Sequence, residues 1–162
     1  MAQWTETDLR SQFTSAKAHG WLPYFEEAAQ QSAFPVELLL AIASRETNMR
    51  NIKGDFHNEV YHGYGIMQVD IGTDPEFCRN WTPEKVKESI DRGTQILVGK
   101  RSYLAGHHIT DLKAIAAAYN TGEGNVARSV AAGRDPDSTT TGGDYGRDVL
   151  ARMGVFEQLR SE

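Results

Sequence analysis

A chain of 162 residues with a formal net charge of −5 and a sequence pI near 5.5 is long enough to bury a core as one domain without disulfide support. Its acidic balance offers no basic stripe for nucleic acid, and no apolar run approaches the length that crosses a bilayer, so neither a nucleic-acid nor a membrane partner is expected. Cys78 is the only cysteine; an intrachain disulfide and a cysteine-only metal site are excluded, and with no base in EFCRNW to activate it, it reads as a packed or surface thiol.

The opening MAQWTETDLR has no basic segment followed by an apolar run, so the sequence as given carries no secretory signal. Leu9, Phe13 and Ala16 fall loosely at helical spacing and His19-Gly20 closes them, predicting a peripheral helix within residues 1–20. Pro23 suits the first turn of a second helix through Ala29, and Pro35 with Glu37 suits the start of a third. In that third helix Leu39, Ile42 and Ala43 form an apolar stripe, and Glu46 continues the same face. A carboxylate ending an apolar face loses water, which favours the neutral form and suits a general acid near neutral pH. The plainer alternative is a Glu that is solvated, or paired with Arg45.

From Asn48 to Gly72 the periodicity breaks down. Gly54, Gly63, Gly65 and Gly72 allow turns or a close approach of backbone to ligand, and VYHGYGIMQV has room for a short strand or hairpin. Asp55 and Asp70 lie on this segment, where folding back would bring them over the end of the Glu46 helix. One protonated acid near ionised carboxylates is the pattern of glycoside hydrolysis. His57 and His62 flank Glu59, but on a helix their spacing turns the two imidazoles about 140° apart, so no metal site is expected.

Thr82-Pro83-Glu84 reads as a helix start, with Val86, Ile90, Gly93, Leu97 and Leu104 along one face of a long helix. Thr110 or Asp111 caps the next, whose Leu112, Ile115, Ala116 and Tyr119 face inward until Asn120-Thr121-Gly122 ends it. A short helix over 123–132, a polar loop over 133–143 and a final helix over 144–159 with Tyr145, Val149, Met153 and Phe156 on one side complete the chain. With no repeat and no linker, the expectation is one mainly α domain over residues 1–162, with about seven helices around one irregular functional loop.

Three separated pieces, SRET around Glu46, GYGIMQVD over 63–70 and AYNTGEGNV over 118–126, resemble in that order the goose-type lysozymes and the related lytic transglycosylases. A fourth, TTGGDYGRDVLAR over 140–152, is closer to the goose type. The likeness runs from about Pro35 to Arg152. It implies a lysozyme-like fold with a glycine-rich active-site loop, and a hydrolase that uses no cofactor to cleave the β-1,4 bond between N-acetylmuramic acid and N-acetylglucosamine of peptidoglycan. Glu46 matches the family's general acid. Two Asp residues of goose-type enzymes are assigned to orient water; Asp70 matches the second by its MQVD context, and Asp55 matches the first by its G-D dipeptide. Glu59 is the rival for that first position when the loop is counted without gaps.

Gln68, Tyr119, Asn120 and Tyr145 are the substrate-binding residues the resemblance implies, with Tyr119 also expected to hydrogen-bond the Glu46 carboxyl. The rival activities are a lytic transglycosylase, which forms 1,6-anhydromuramyl ends and needs no carboxylate to orient water, and a non-catalytic wall-binding module. Beyond peptidoglycan, a proteinaceous lysozyme inhibitor or immunity protein is the partner such a fold admits. A monomer acting outside the cell or in the periplasm is expected. The chain departs from the secreted vertebrate enzymes in lacking disulfides, in a segment after Asp70, IGTDPEFCRNW, without their basic and histidine-containing continuation, and in an overall charge that gives little long-range attraction to an anionic wall.

Overall fold

The computed structural model describes residues 3–162, and the first two residues of the expected N-terminal helix region lie outside them. Among the described residues there are eight α-helices where seven are expected. Helix α1, Glu6–Ala18, opens on a reciprocal cap between Thr5 and Asp8. It is followed by α2, Leu22–Ser32, and α3, Val36–Thr47. The irregular segment then folds as β1, Lys53–His57, β2, Val60–Tyr64, and β3, Val69–Asp70, an antiparallel sheet in that order rather than a lone hairpin. Helices α4 (Pro75–Asn80), α5 (Val86–Ala105), α6 (Leu112–Thr121), α7 (Glu123–Ala131) and α8 (Tyr145–Ser161) complete the chain.

The unforeseen element, α4, is only six residues long, too short for a hydrophobic period; its start is set by the Asp74 side chain accepting from Phe77 N–H, with Pro75 in the first turn. Thr82-Pro83 does not start the long helix. α5 begins at Val86, behind a turn in which Lys85 N–H reaches Thr82 C=O. The expected polar loop over 133–143 holds two short 3-10 turns, Pro136–Thr139 and Thr141–Gly143, and one buried carboxylate, Asp137.

The core is one continuous cluster, and α3 is its centre. An amphipathic stripe is expected for α3, yet Leu38 through Ser44 are all fully buried, because α2 covers one side and α8 another. A helix surrounded on all sides can be apolar all round. It ends when Asn48 takes a left-handed conformation and its N–H returns to Ala43 and Ser44 C=O. Thr47 Oγ1 donates at this end to Ile66 C=O at 2.9 Å. The final turn of the most buried helix is thereby fastened to the sheet segment.

The β1–β2 ribbon turns through Asn58 and Glu59, both at positive φ (51° and 64°), the geometry of a two-residue hairpin turn whose twist matches the strands. Gly54 pairs with Gly63, and Gly63 with Asp70. Any Cβ at Gly54 or Gly63 would overlap the Gln68 carboxamide, so this pair of glycines is the trough in which Gln68 lies. Cys78 is buried, donates weakly to Val69 C=O at 3.5 Å, and burial pushes its thiol up to about 11. It is a packed thiol.

Candidate active site

One cleft of about 760 Å³ lies between the sheet and the helices. The sheet and its turns contribute Asp55, His57, His62, Gly63, Gln68, Val69 and Asp70; the helices and the 3-10 region contribute Arg45, Glu46, Ile96, Lys100, Tyr119, Asn120, Thr141 and Tyr145. All seven residues expected at the site therefore line a single cavity. Glu59 does not line it: it stands exposed at the hairpin turn.

Glu46 sits in the last turn of α3, where the buried helix reaches the cleft. Its carboxyl opens on the cavity at one edge and is crowded by protein elsewhere. That loss of water, opposed by a hydrogen bond from Tyr145 and by the nearby Arg45 charge, lifts its pKa from 4.5 to about 7. The expected bond from Tyr119 is absent. Tyr145 O–H donates to Glu46 Oε2 at 2.5 Å, while Tyr119 O–H donates to Met67 C=O at 2.7 Å. Burial, reinforced by the Glu46 charge, raises both phenols well above the ordinary tyrosine value, so they remain donors throughout the physiological range.

Arg45 does not pair with Glu46. It bonds Asp148 at 3.0 Å and Asp144 at 3.4 Å, and its guanidinium lies over the Tyr145 ring, 4.9 Å from the centroid. Asp148 is buried and fully engaged: its oxygens also accept from Trp4 Nε1 at 2.7 Å and Arg152 Nε at 2.8 Å. Burial raises the Asp148 pKa, but these three donors together outweigh it and hold the carboxyl below its ordinary value. The consequence for the site is geometric, since Arg45 holds the face of the ring whose hydroxyl holds Glu46.

The TTGGDYG stretch is explained by how α8 begins. Asp144 gives no side-chain cap; the carboxylate of Asp137 accepts from Gly146 N–H at 2.7 Å and Arg147 N–H at 3.0 Å instead. Capping from eight or more residues upstream is invisible to local pattern, and it sets where Tyr145 stands. At Gly146 a Cβ would lie 2.6 Å from Lys113 C=O, so glycine here lets α8 approach α6.

The AYNT segment acts mainly as a fastener. Tyr119 reaches Met67, Asn120 accepts from Thr141 N–H at 2.9 Å and donates to Thr141 Oγ1 at 3.3 Å, and Thr121 Oγ1 donates to Thr139 C=O at 3.1 Å. Gln68 is similarly committed: both its N–H donors go to backbone, Ile52 C=O and Gly65 C=O, each at 2.9 Å. Its carbonyl oxygen is packed against Gly54 and Gly63. Asp55 and Asp70 face solvent, Asp55 with a left-handed φ of 53° and Asp70 accepting from Gly72 N–H at 3.3 Å. Arg45, Thr141 and the ion-paired Lys100 (2.6 Å from Glu123) join the cleft without having been foreseen; the arginine beside the acid was the only signal in the sequence.

Comparison with known proteins matches the family model described as Lysozyme g over residues 15–159. The chain belongs to the lysozyme g family. Within it, this member is 28% identical over 162 residues to a lysozyme g of Takifugu rubripes, covering 95% of this chain and 83% of the other. It is 36% identical over 134 residues to a lysozyme g of Epinephelus coioides, covering 74% and 66%, and 27% identical over 138 residues to one of Casuarius casuarius, covering 82% and 70%. Lysozyme g family membership makes the protein a glycoside hydrolase, and its mainly helical fold with a small antiparallel sheet is lysozyme-like.

Proposed function

We propose that this peptidoglycan-hydrolysing lysozyme cleaves the β-1,4 bond between N-acetylmuramic acid and N-acetylglucosamine with inversion, using Glu46 as general acid and Asp55 with Asp70 to hold the attacking water. The observation that carries the reading is the Glu46 carboxyl: half-buried at a cleft, bonded by Tyr145, and brought to about 7 by loss of water. Such a group is substantially protonated near neutrality and can give its proton to the glycosidic oxygen as the bond to C1 breaks. Tyr145 then donates to the carboxylate left behind. On the sheet side two water-facing carboxylates, Asp55 and Asp70, line the same cavity, and an inverting enzyme uses such a carboxylate to orient water and take its proton as it attacks C1.

Every residue invoked comes from one chain, so a monomer suffices. Action outside the cytoplasm, where peptidoglycan lies, follows from the substrate. The test is to digest peptidoglycan and weigh the soluble muropeptides. Hydrolysis leaves reducing ends one water heavier than 1,6-anhydro ends; predominantly anhydro products would replace this reading with transglycosylation. Glu46→Gln should reduce lysis on the order of a hundredfold or more, and a variant with near-normal lysis would remove Glu46 from the role.

A further inference from the structure

The hairpin wall of the cleft holds a donor cluster that hydrolysis uses only in part. Because Gly54 pairs with Gly63 and Phe56 with Tyr61, Asp55 and His62 fall between the same rungs on facing strands, and His57 is two residues further along β1. Each of the three offers a ligand atom, and these atoms all lie within 4.8 Å of one another. His57 Nδ1 is 3.3 Å from Asp55 Oδ1, and His62 Nδ1 is 3.2 Å from the Asp55 carbonyl oxygen. The two imidazoles stack with centroids 3.6 Å apart and planes within 5°. Helical spacing would separate these rings; the cross-strand ribbon brings them together, which corrects the geometric ground on which a metal site is discounted from sequence.

We propose that Asp55, His57 and His62 form a binding site for a divalent transition-metal ion, zinc fitting the donor set best, and that an ion held there withdraws Asp55 from the reaction. The second half rests on the role given to Asp55 above. Two imidazoles and a carboxylate are borderline donors suited to zinc and its neighbours rather than to magnesium or calcium. A zinc ion about 2 Å from each donor holds them roughly 3.3 Å apart, so donors spread over at most 4.8 Å need only side-chain rotation to close on it. The Asp55 and His57 side chains are 67% and 51% exposed, which gives an ion access and leaves open positions for water. The bound ion would stand in the cleft itself, occupying the carboxylate and covering the wall where a sugar must lie.

The full chain is titrated with zinc chloride by calorimetry, and with cobalt(II) by visible absorption as a probe of imidazole ligation. Saturable binding of one ion per chain is expected. His57→Ala and His62→Ala, each with the parent far-UV circular dichroism, should weaken it by about tenfold or more, since even partners outside the ligand shell cost that much. Absence of saturable binding at millimolar zinc, or unchanged affinity in both variants, overturns the site. Lysis by the parent protein should fall along the same zinc titration curve and lysis by His62→Ala should resist it. Binding with undiminished lysis overturns the inhibitory half alone. Full activity of Asp55→Asn without zinc refutes the hydrolytic role and leaves the metal titration to be judged on its own result.

Discussion

Replacing Glu46 by glutamine should make the protein more stable above neutral pH while removing the proposed acid. The native carboxyl titrates near 7 and the free one near 4.5. Between those values the folded state keeps a proton that the unfolded chain has released, so stability falls as pH rises. The favourable contribution is complete below about 4.5 and is lost once the pH passes about 7. A gap of roughly 2.5 pH units corresponds to about 3 kcal/mol. Glutamine stays neutral throughout and its carbonyl can still accept from Tyr145, so packing is kept while the titration is deleted. Urea unfolding of both proteins, followed by tryptophan fluorescence at intervals from pH 4 to pH 9, isolates the effect, because all other titrating groups cancel in the difference. The variant should gain on the parent by about 3 kcal/mol across that range, with most of the gain in place by pH 8. A difference that stays flat with pH would refute the burial argument, and with it the physical case for Glu46 as an acid at neutrality.

Tyr145→Phe removes the bond that holds the Glu46 pKa down, so the alkaline limb of the lysis profile should move to higher pH; a limb that stays or moves down would contradict the assignment. Asp137→Ala takes the cap from Gly146 and Arg147 and should cost roughly 2 kcal/mol in urea unfolding, whereas a loss within error would show α8 needs no such cap. Asp148→Ala strands Arg45 and Arg152 beside a missing carboxylate and should cost about 3–5 kcal/mol, measurable as a large fall in melting temperature. Gly63→Ala should lower lysis by displacing Gln68, and a fully active variant would deny that the trough matters.

What the sequence made legible was local. Capping residues and prolines announced most helices, and a carboxylate at the end of an apolar run announced Glu46. Short α4 escaped because six residues carry no period, and Thr82-Pro83 misled because a proline turn and a helix start share the same residues. The partners of Glu46 were beyond reach for a different reason. Tyr145 lies 99 residues away, and its position depends on Asp137 capping α8 and on Arg45 turning toward Asp148. Choosing Tyr145 over Tyr119 as the bonding phenol is a tertiary outcome. For His57 and His62 helical spacing is the wrong measure, since residues far apart around a helix become neighbours across a two-residue turn.

The buried thiol of Cys78 has a practical corollary. With a single cysteine, packed beneath β3 and carrying a raised pKa, the chain closes its core and its cleft without any oxidative step. Thiol reductants should leave it unaffected, and so should their absence. Folding of these residues is therefore indifferent to redox conditions, since no oxidase or isomerase is needed to close the core.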